Sequence, residues 1–322
     1  MSDPALFEKL FAPVGWQRRS GKVREAFWGE DQGVIITTDR VSAFDAVLGE
    51  IPGKGAILNQ LSQFWFDATS DVLPNHILQK LGPRSSLVRR CEVLPVEVIV
   101  RAYLTGSAWR AVAAGQIVPG MPVGDGPSDS AGQSAGIREF HRFETPCITP
   151  STKAEIGDHD EPISREDIIA RGLVSAEVWQ QVERAALALF ARGSEFAQRQ
   201  GLVLVDTKYE FGLYQGRLYL VDEVHTPDSS RYWYANNLND DGTVPAGLTP
   251  RQLDKEFLRN FLRETGFTGD GPVPELPQSV KEEVAARYRE LYEQVTGQGF
   301  ARDVIPLEEE LELVARWMQT QD

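Results

Sequence analysis

The alternation of apolar and charged residues is clearest between residues 202 and 231, where it predicts a β-hairpin followed by a loop. Side chains of a strand point alternately to its two faces, so one face of the first strand is mostly apolar. The opposite face carries Lys208 and Glu210. A short glycine-containing segment closes the turn, and pairing even-numbered residues across it puts Asp222 opposite Lys208 or near Glu210. The sequence therefore predicts carboxylates and an ammonium on one sheet face.

That charged face has two interpretations. For an isolated hairpin, an exposed surface linked by cross-strand ion pairs is the more common one. The segment after the second strand, residues 225–231 with the sequence HTPDSSR, favours a ligand site because it adds hydroxyls, a carboxylate and a guanidinium. Carboxylates in such a place suit Mg²⁺, whose remaining positions are filled by phosphate oxygens. The hairpin and its loop are therefore the first candidate site.

Elsewhere the pattern predicts helices, further strands and one long loop. Helical spacing is clearest over residues 175–200, and it recurs over 56–69, 253–264, 277–296 and 306–319. A further helix begins at Ser164, in a capping arrangement with Asp167. Extended runs are predicted at 33–38, 87–93 and 96–103, the last two as paired strands. The Gly- and Ser-rich residues 115–136 predict a long loop.

Composition narrows the class of protein. At 322 residues the chain is long enough for two domains, and its 42% hydrophobic and 25% charged residues are typical of soluble globular proteins. A net charge of −14 argues against general binding to nucleic acid or to anionic membranes, which needs a basic surface. No apolar run is long enough to span a bilayer, and the N-terminus lacks a signal-peptide pattern. Cys91 and Cys147 fit neither a metal-ligand spacing nor a disulfide framework, so we expect free thiols in the cytoplasm.

Two other segments carry candidate chemistry. Gly21, Lys22 and Arg24 lie between extended runs, where a glycine-containing turn can fold over the phosphates of a nucleotide. Such a turn is more often merely solvent-facing, and the sequence has neither a Walker A loop nor a Gly-x-Gly-x-x-Gly motif. Arg101 lies inside an apolar run, so its guanidinium requires a structural carboxylate or an anionic ligand. Ser107 can donate its hydroxyl to the same anion.

Seven segments, in order, resemble the SAICAR (phosphoribosylaminoimidazole-succinocarboxamide) synthetase family, and the resemblance covers nearly the whole chain. They are GKVREAF, TTDRVSAFD, IPGKG, LPVEVIVRAYLTGSAW, TPSTKAEIGDHDEPIS, LVDTKYEFG and VDEVHTPDSSRYW. The stretches VRAYLTGS and DTKYEFG are the most specific. The departures are conservative, since Glu25 stands where the family usually has Asp and Tyr209 where it often has Phe.

The resemblance implies a fold and a reaction. The fold is α+β, with two domains of antiparallel sheets and helices related to the ATP-grasp and kinase nucleotide-binding scaffolds. We expect residues 1–110 to form the domain with the phosphate loop, and residues 111–322 the domain with the hairpin and the last helices. The implied activity is an ATP- and Mg²⁺-dependent ligase of purine biosynthesis. It joins the carboxylate of carboxyaminoimidazole ribotide (CAIR) to the amine of L-aspartate, and we expect a monomer whose partners are small molecules.

The resemblance also assigns roles to residues that match the family's motifs. The residues implied for ATP are Gly21, Lys22, Val23, Arg24, Arg90, Glu92 and Glu210. The implied Mg²⁺ ligands are Glu210 and Asp222, and the implied catalytic residues are Lys208, Lys22 and Arg24. CAIR falls to Arg101, Ser107 and Arg231. The region of aspartate and of the reaction itself falls to Asp39, Asp45, Lys54, Lys153 and Asp160.

Two other functions compete with the ligase. A small-molecule or lipid-headgroup kinase would use a similar phosphate loop and paired carboxylates, but it would need a hydroxyl acceptor and a catalytic Asp in a His-Arg-Asp loop, which the sequence lacks. A non-catalytic nucleotide-binding module would be expected to lose Glu210 or Asp222, and both are present. The ligase is therefore the favoured hypothesis.

Overall fold

The structure, a computed structural model, describes residues 4–122, 138–153, 160–301 and 305–320. Its helices are α1 (Pro4–Phe11), α2 (Lys54–Ala68), α3 (Gly106–Ala113), α4 (Arg165–Ala170), α5 (Ala176–Arg199), α6 (Glu256–Glu264), α7 (Gln278–Thr296) and α8 (Leu307–Met318). Its strands are β1 (Gln17–Ser20), β2 (Arg24–Trp28), β3 (Gln32–Thr37), β4 (Arg40–Ala43), β5 (Ala46–Glu50), β6 (Ile77–Lys80), β7 (Ser85–Arg89), β8 (Glu92–Val93), β9 (Val96–Tyr103), β10 (Arg142–Thr152), β11 (Leu202–Tyr214), β12 (Arg217–Val221) and β13 (Ser230–Tyr234). Most of the loop predicted at 115–136 lies outside the described residues.

The strands form two larger antiparallel sheets and one small hairpin. The first sheet has the order β1-β2-β3-β7-β6. The second has the order β10-β9-β11-β12, and β8 and β13 also pair with β11. Strands β4 and β5 pair only with each other among the described strands. The predicted α+β class is confirmed.

Strand β11 is the strand around which the second sheet is built, as the polarity pattern indicated. Its first half pairs with β9 and β13, and its second half with β8 and β12. Val205, Tyr209 and Phe211 are fully buried on its apolar face. Asp206 and Glu210 on the other face are buried too, because neighbouring polar side chains surround them. Burial of charge on this face already marks it as more than a solvated sheet surface.

Two predictions about strand pairing are wrong. The hairpin pairs Glu210 with Val221, one residue away from the even-with-even register, because a two-residue turn at Gln215 and Gly216, both with positive φ, closes it. The runs predicted at 87–93 and 96–103 do not pair with each other. Strand β7 belongs to the first sheet and β9 to the second, and the chain crosses between the sheets at residues 90–91, just before β8 pairs with β11.

The predicted helices are confirmed with small shifts at their ends. The longest, α5, begins after Ser175, whose hydroxyl accepts a hydrogen bond from the Val178 amide at 3.3 Å. Ser164 caps α4 in the same way, accepting from the Asp167 amide at 3.0 Å. Both serines satisfy an amide that has no partner inside its helix.

Apolar packing forms one large core and several smaller ones. The large core joins α2, α5, α6 and α7 to the second sheet. A smaller one packs α1 and α8 against the first sheet through Phe27, Val34 and Leu311. The C-terminal helix thus covers the N-terminal sheet, so the division at residue 110 stays a prediction. No helix in the described ranges combines the length and apolar character needed to cross a bilayer.

Candidate active site

A cavity of about 650 Å³ opens on the polar face of the second sheet. Alternate residues of β9 and residues 206–208 of β11 form its floor, and β10, α3, the 225–231 loop and the start of α6 supply its walls. Five residues assigned from the sequence line it: Arg101, Ser107, Asp160, Lys208 and Arg231. Pairing of β9 with β11 explains why these distant parts of the chain meet, because it places Arg101 beside Asp206 and Ile99 beside Lys208.

Lys208 is the centre of a group of charges that we call the lysine cluster, formed by Lys208, Glu97, Glu210, Asp222, Lys153 and Arg24. The Lys208 ammonium lies 2.6 Å from Glu210, 2.8 Å from Glu97 and 3.8 Å from Asp222. Lys153 pairs with the other oxygen of Glu210, and Arg24 pairs with Asp222. The predicted meeting of carboxylates and an ammonium is therefore confirmed, although the left-handed turn at Asp222, and not strand register, brings it about.

Opposite charges nearby keep Lys208 and Asp222 ionised despite their burial. Burial opposes the charged form of Lys208, but Glu210, Glu97 and Asp222 raise its pKa well above the usual value. Burial likewise opposes the charged form of Asp222, yet Arg24, Lys208 and Lys153 lower its pKa to about 2. The Asp222 carboxylate and the Lys208 ammonium thus coexist as ions at neutral pH.

The predicted phosphate loop adjoins the lysine cluster through Arg24. The Gly21 amide donates to the Arg24 carbonyl at 2.8 Å, closing the turn between β1 and β2, and the Val23 carbonyl accepts from the Thr38 amide. Arg24 also reaches Glu223 at 3.2 Å. Lys22 extends the other way and pairs with Asp45, in the turn between β4 and β5. The loop therefore joins the first sheet to the hairpin of the second.

A buried ion pair that the sequence did not reveal shapes this loop. Glu25 is fully buried and accepts from Arg18 at 3.0 Å and from Arg40 at 2.7 Å. Arg40 also donates to the Gly21 and Arg24 carbonyls, at 3.0 and 3.1 Å. The acid at position 25 thus fixes the backbone of the turn from beneath.

The opposite end of the cavity is built from arginines, and we call it the arginine cluster: Arg101, Arg231, Arg259 and Arg263 with the carboxylates Asp206 and Glu256. Asp206 accepts from Arg101 at 2.9 Å and from Arg231 at 2.6 Å. Glu256 accepts from Arg231 at 3.0 Å, Arg259 at 3.2 Å and Arg263 at 2.7 Å. Arg101 therefore has the structural carboxylate that was one of its two predicted partners, and it still lines the cavity.

Positive charge is in excess at this end. Burial opposes ionisation of Glu256, but Arg231, Arg259 and Arg263 hold its pKa well below the usual range. Burial lowers the pKa of Arg101, whose pairing with Asp206 opposes that shift. Gly106 lies against Arg231, since a Cβ at residue 106 would be 2.1 Å from Nη2, and its φ of +61° also favours glycine. This contact seats the Arg231 guanidinium at the N-terminus of α3, a combination that suits an anion.

Three of the residues assigned to the aspartate region face away from the cavity lining. Both oxygens of Asp39 accept backbone amides, from Gly53 at 3.0 Å and Gly55 at 2.8 Å, so Asp39 caps the start of α2. Lys54 is fully buried with its ammonium 3.0 Å from Asp228. Asp45 pairs with Lys22 of the phosphate loop. Lys153 and Asp160 are placed at the lysine cluster and in the cavity lining.

Two of the residues assigned to ATP, Arg90 and Glu92, lie elsewhere again. Arg90 donates to the Gly29 carbonyl at 2.7 Å, and Glu92 is exposed in β8, paired with Leu213. They flank the crossing between the two sheets.

Several residues that line the cavity were not predicted from the sequence to be site residues: Glu97, Arg110, Asp206, Asp228, Asp254 and Arg259. Asp206 and Asp228 lay within motifs already singled out, so the alternation along β11 and the HTPDSSR loop carried a signal for them. Asp254 and Arg259 belong to a segment predicted only as an amphipathic helix. Nothing in its period tells which polar residues face a ligand. Burial raises the pKa of Asp254 to about 7.

The lysine cluster has the donors that Mg²⁺ prefers. Among the residues described, no three His, Cys, Asp or Glu side chains are arranged to hold a metal ion. Mg²⁺ does not need such a cage, because it is often held by one or two carboxylates with substrate phosphates. Glu210 and Asp222 supply two carboxylates, whose charge is balanced by Lys208, Lys153 and Arg24. The residues present therefore fit a magnesium ion that arrives with a nucleotide.

Comparison with known proteins gives a consistent result. The model of the SAICAR synthetase family matches residues 17–274. A phosphoribosylaminoimidazole-succinocarboxamide synthase of Bacteroides fragilis is 46% identical over 288 residues, which cover 88% of each chain.

Solved structures agree. The SAICAR synthase of Saccharomyces cerevisiae, solved in complex with SAICAR, is 31% identical with a TM-score of 0.73, covering 89% of this chain and 97% of that one. A SAICAR synthetase solved in complex with ADP has a TM-score of 0.66 at 23% identity, covering 88% of this chain and 100% of that one, a likeness that concerns the fold.

Proposed function

The chain belongs to the SAICAR synthetase family, and we propose that its cavity joins the carboxylate of CAIR to the amino group of L-aspartate. ATP drives this step of purine biosynthesis and leaves as ADP and phosphate. The product is the succinocarboxamide, SAICAR. One observation carries the proposal: β11 places a cationic end and a carboxylate-rich end in one cavity, and the second end adjoins the phosphate loop.

The arginine cluster suits the phosphate of the ribotide. Arg101, Ser107 and Arg231 are the proposed contacts, and the N-terminus of α3 adds backbone dipole to their charge. Guanidinium groups suit phosphate because they donate two parallel hydrogen bonds. The carboxylates Asp206 and Glu256 hold these guanidiniums in place before the substrate arrives.

The lysine cluster suits the nucleotide phosphates and the reacting carboxylate. Gly21, Lys22, Val23 and Arg24 are proposed to bind the phosphates, with Arg90 and Glu92 on the adenine side. Glu210 and Asp222 are proposed to hold Mg²⁺, which when bound neutralises charge on the transferred phosphoryl group. Lys208 would hold the CAIR carboxylate beside that group, since its ammonium lies in the cavity lining.

Activation of the carboxylate is the chemical problem that ATP solves. A carboxylate resists attack by an amine, so one of its oxygens attacks the γ-phosphorus and ADP departs. The aspartate amine then attacks the acyl carbon, phosphate leaves with the former carboxylate oxygen, and the amine loses a proton. Lys153 and Asp160 are proposed to hold the aspartate, while Asp39, Asp45 and Lys54 fix the surrounding loops.

We also propose a cytoplasmic monomer. Both cysteines are free thiols, as expected in a reducing compartment. The apolar side of α8 is covered by the chain's own first sheet, so it needs no second copy to bury it. Light scattering that gives twice the chain mass would contradict the monomer.

Phosphate release tests the proposed function. ATP and Mg²⁺ are incubated with CAIR alone, with L-aspartate alone and with both. We expect rapid release with both, together with one molecule of SAICAR per phosphate by mass spectrometry. A hydroxyl compound that replaced CAIR and aspartate and became phosphorylated would make the protein a kinase instead.

A further inference from the structure

One side chain of the C-terminal helices reaches the cavity loop from beyond the family match. Tyr288, on α7, follows residue 274, where that match ends. It is fully buried, and its hydroxyl donates to Asp228 Oδ1 at 2.6 Å. Asp228 itself lines the cavity, in the HTPDSSR loop. Tyr288 is therefore a single hydrogen bond away from the site.

Asp228 is held by two hydrogen bonds and one further ion pair, from three parts of the chain. Lys54 Nζ, at the start of α2, lies 3.0 Å from Oδ2, and Lys255 Nζ, just before α6, lies 3.1 Å from the same oxygen. Tyr288 is the donor to Oδ1. Burial opposes ionisation of Asp228, but the two lysines and the tyrosine hold its pKa well below the usual range. A buried carboxylate with two hydrogen-bond donors and a second ammonium 3.0 Å away has a fixed orientation.

The rest of the loop is fixed through the same region. The Asp228 amide donates to Thr226 Oγ1 at 3.3 Å, and the Lys255 amide donates to the Pro227 carbonyl at 3.2 Å. Residues 229–231 then present two hydroxyls and a guanidinium to the cavity. Movement of Asp228 would carry these groups with it, because they follow it directly in the chain.

We propose that Tyr288 is a positioning residue of the site, which acts through Asp228 to hold the 226–231 loop in its substrate-binding arrangement. This rests on the proposed function, since CAIR is the ligand that the loop is held to receive. The competing interpretation is that Tyr288 merely fills the core between α7 and the sheet. Its hydroxyl would then matter no more than that of any buried tyrosine on the same helix.

The helix offers a matched control for that comparison. Tyr292 lies one turn further along α7, is buried in the same core, and packs its ring 5.2 Å from Phe300. Tyr288→Phe and Tyr292→Phe each remove one hydroxyl and keep the ring. We expect Tyr288→Phe to lower kcat/KM for CAIR by about tenfold to a hundredfold, the range for a lost hydrogen bond to a charged group. Tyr292→Phe should change it less than twofold.

The separate KM values for CAIR and for ATP distinguish the two interpretations, because a loss of core packing alone would leave both unchanged. We expect the KM for CAIR to rise in Tyr288→Phe while the KM for ATP stays within twofold of wild type. KM does not depend on the fraction of folded enzyme, so a less stable variant still reports on the site. Equal values for the two Phe variants would overturn the proposal, whatever their melting temperatures.

A double-mutant cycle with Asp228→Asn tests the route through Asp228. If Tyr288 acts through this carboxylate, adding Tyr288→Phe to Asp228→Asn should cost little further activity. Full additivity of the two losses would show that Tyr288 acts elsewhere. Wild-type enzyme that failed to make SAICAR would defeat the proposed function instead, so the two failures are told apart by one control reaction.

Discussion

The two ends of the cavity lie only two residues apart on β11, yet their charges are arranged in opposite ways. At Asp206, arginines surround carboxylates and leave positive charge in excess. At Lys208, three carboxylates lie within 4 Å of one ammonium, at 2.6, 2.8 and 3.8 Å. Period-two alternation puts both residues on one face and turns them to the same cavity. We propose that one strand thus offers an anion site and a cation site to a single substrate complex.

The cations at the two ends differ in kind. Guanidinium is planar, always charged and able to bridge two carboxylates, as Arg231 does between Asp206 and Glu256. An ammonium is a compact charge on a flexible stem, so Lys208 can exchange carboxylate partners when a metal and phosphates arrive. We therefore propose that the arginine cluster serves fixed recognition, and that the charge of the lysine cluster is redistributed during the reaction.

The largest expected effect comes from breaking the cation site. Asp222→Asn should lower turnover at least about a hundredfold, because one of the two proposed metal carboxylates is lost. Circular dichroism should show an intact fold. Asp67→Asn is the control, since Asp67 pairs with Lys80 at the surface. Near-wild-type turnover of Asp222→Asn would show that Asp222 is not a ligand of the metal ion.

Breaking the anion site should act on binding instead. Arg231→Lys should raise the KM for CAIR about tenfold to a hundredfold, because an ammonium cannot bridge Asp206 and Glu256 while it donates to a phosphate. The KM for ATP should stay within twofold. Arg251→Lys, at an exposed pair with Glu290, is the matched control. A larger change in the KM for ATP than in that for CAIR would contradict the assignment.

Magnesium titration sharpens the same contrast. Removal of Mg²⁺ with EDTA should stop turnover, and the Mg²⁺ concentration for half-maximal activity should rise several-fold in Glu210→Gln. Arg231→Lys should leave that midpoint unchanged. Equal midpoints in wild type and Glu210→Gln would mean that Glu210 is not a ligand.

The smallest effect concerns stability and pH. Burial raises the pKa of Asp254 to about 7, so the folded state prefers its protonated form. Its contribution to stability is complete below the unfolded pKa of about 4 and is lost as pH rises to about 7. Asp254→Asn removes this titration. The melting temperature of the variant relative to wild type should therefore rise between pH 5 and pH 8, and a constant difference would contradict the shift.

Much of this contrast was accessible from sequence because strands repeat every two residues. Alternation placed Lys208 and Glu210 on one face, and the apolar setting of Arg101 demanded a partner. The predicted register was wrong because the polarity pattern does not show that the turn has only two residues, Gln215 and Gly216. The left-handed φ of Asp222 leaves no mark in that pattern either. The polarity pattern thus identified charged residues of both clusters, and the backbone geometry determines how they contact one another.

The sequence could not predict whether a polar side chain lines the cavity or lies behind its lining. Asp39 and Lys54 lie in motifs as polar as any in the chain, yet they support the site from behind, at the start of α2 and beneath Asp228. Glu256 and Arg259 lie on α6, where helical period reveals the apolar side but not what the polar side faces. Only tertiary packing decides whether a polar side chain lines a cavity or braces it.

Equilibrium binding tests the two-ended account most directly. Wild type, Asp222→Asn and Arg231→Lys are each titrated by calorimetry with CAIR alone and with a non-hydrolysable ATP analogue in Mg²⁺. The account predicts that Asp222→Asn weakens only the nucleotide and that Arg231→Lys weakens only CAIR. If either variant weakened both ligands equally, the two ends would not have separate tasks.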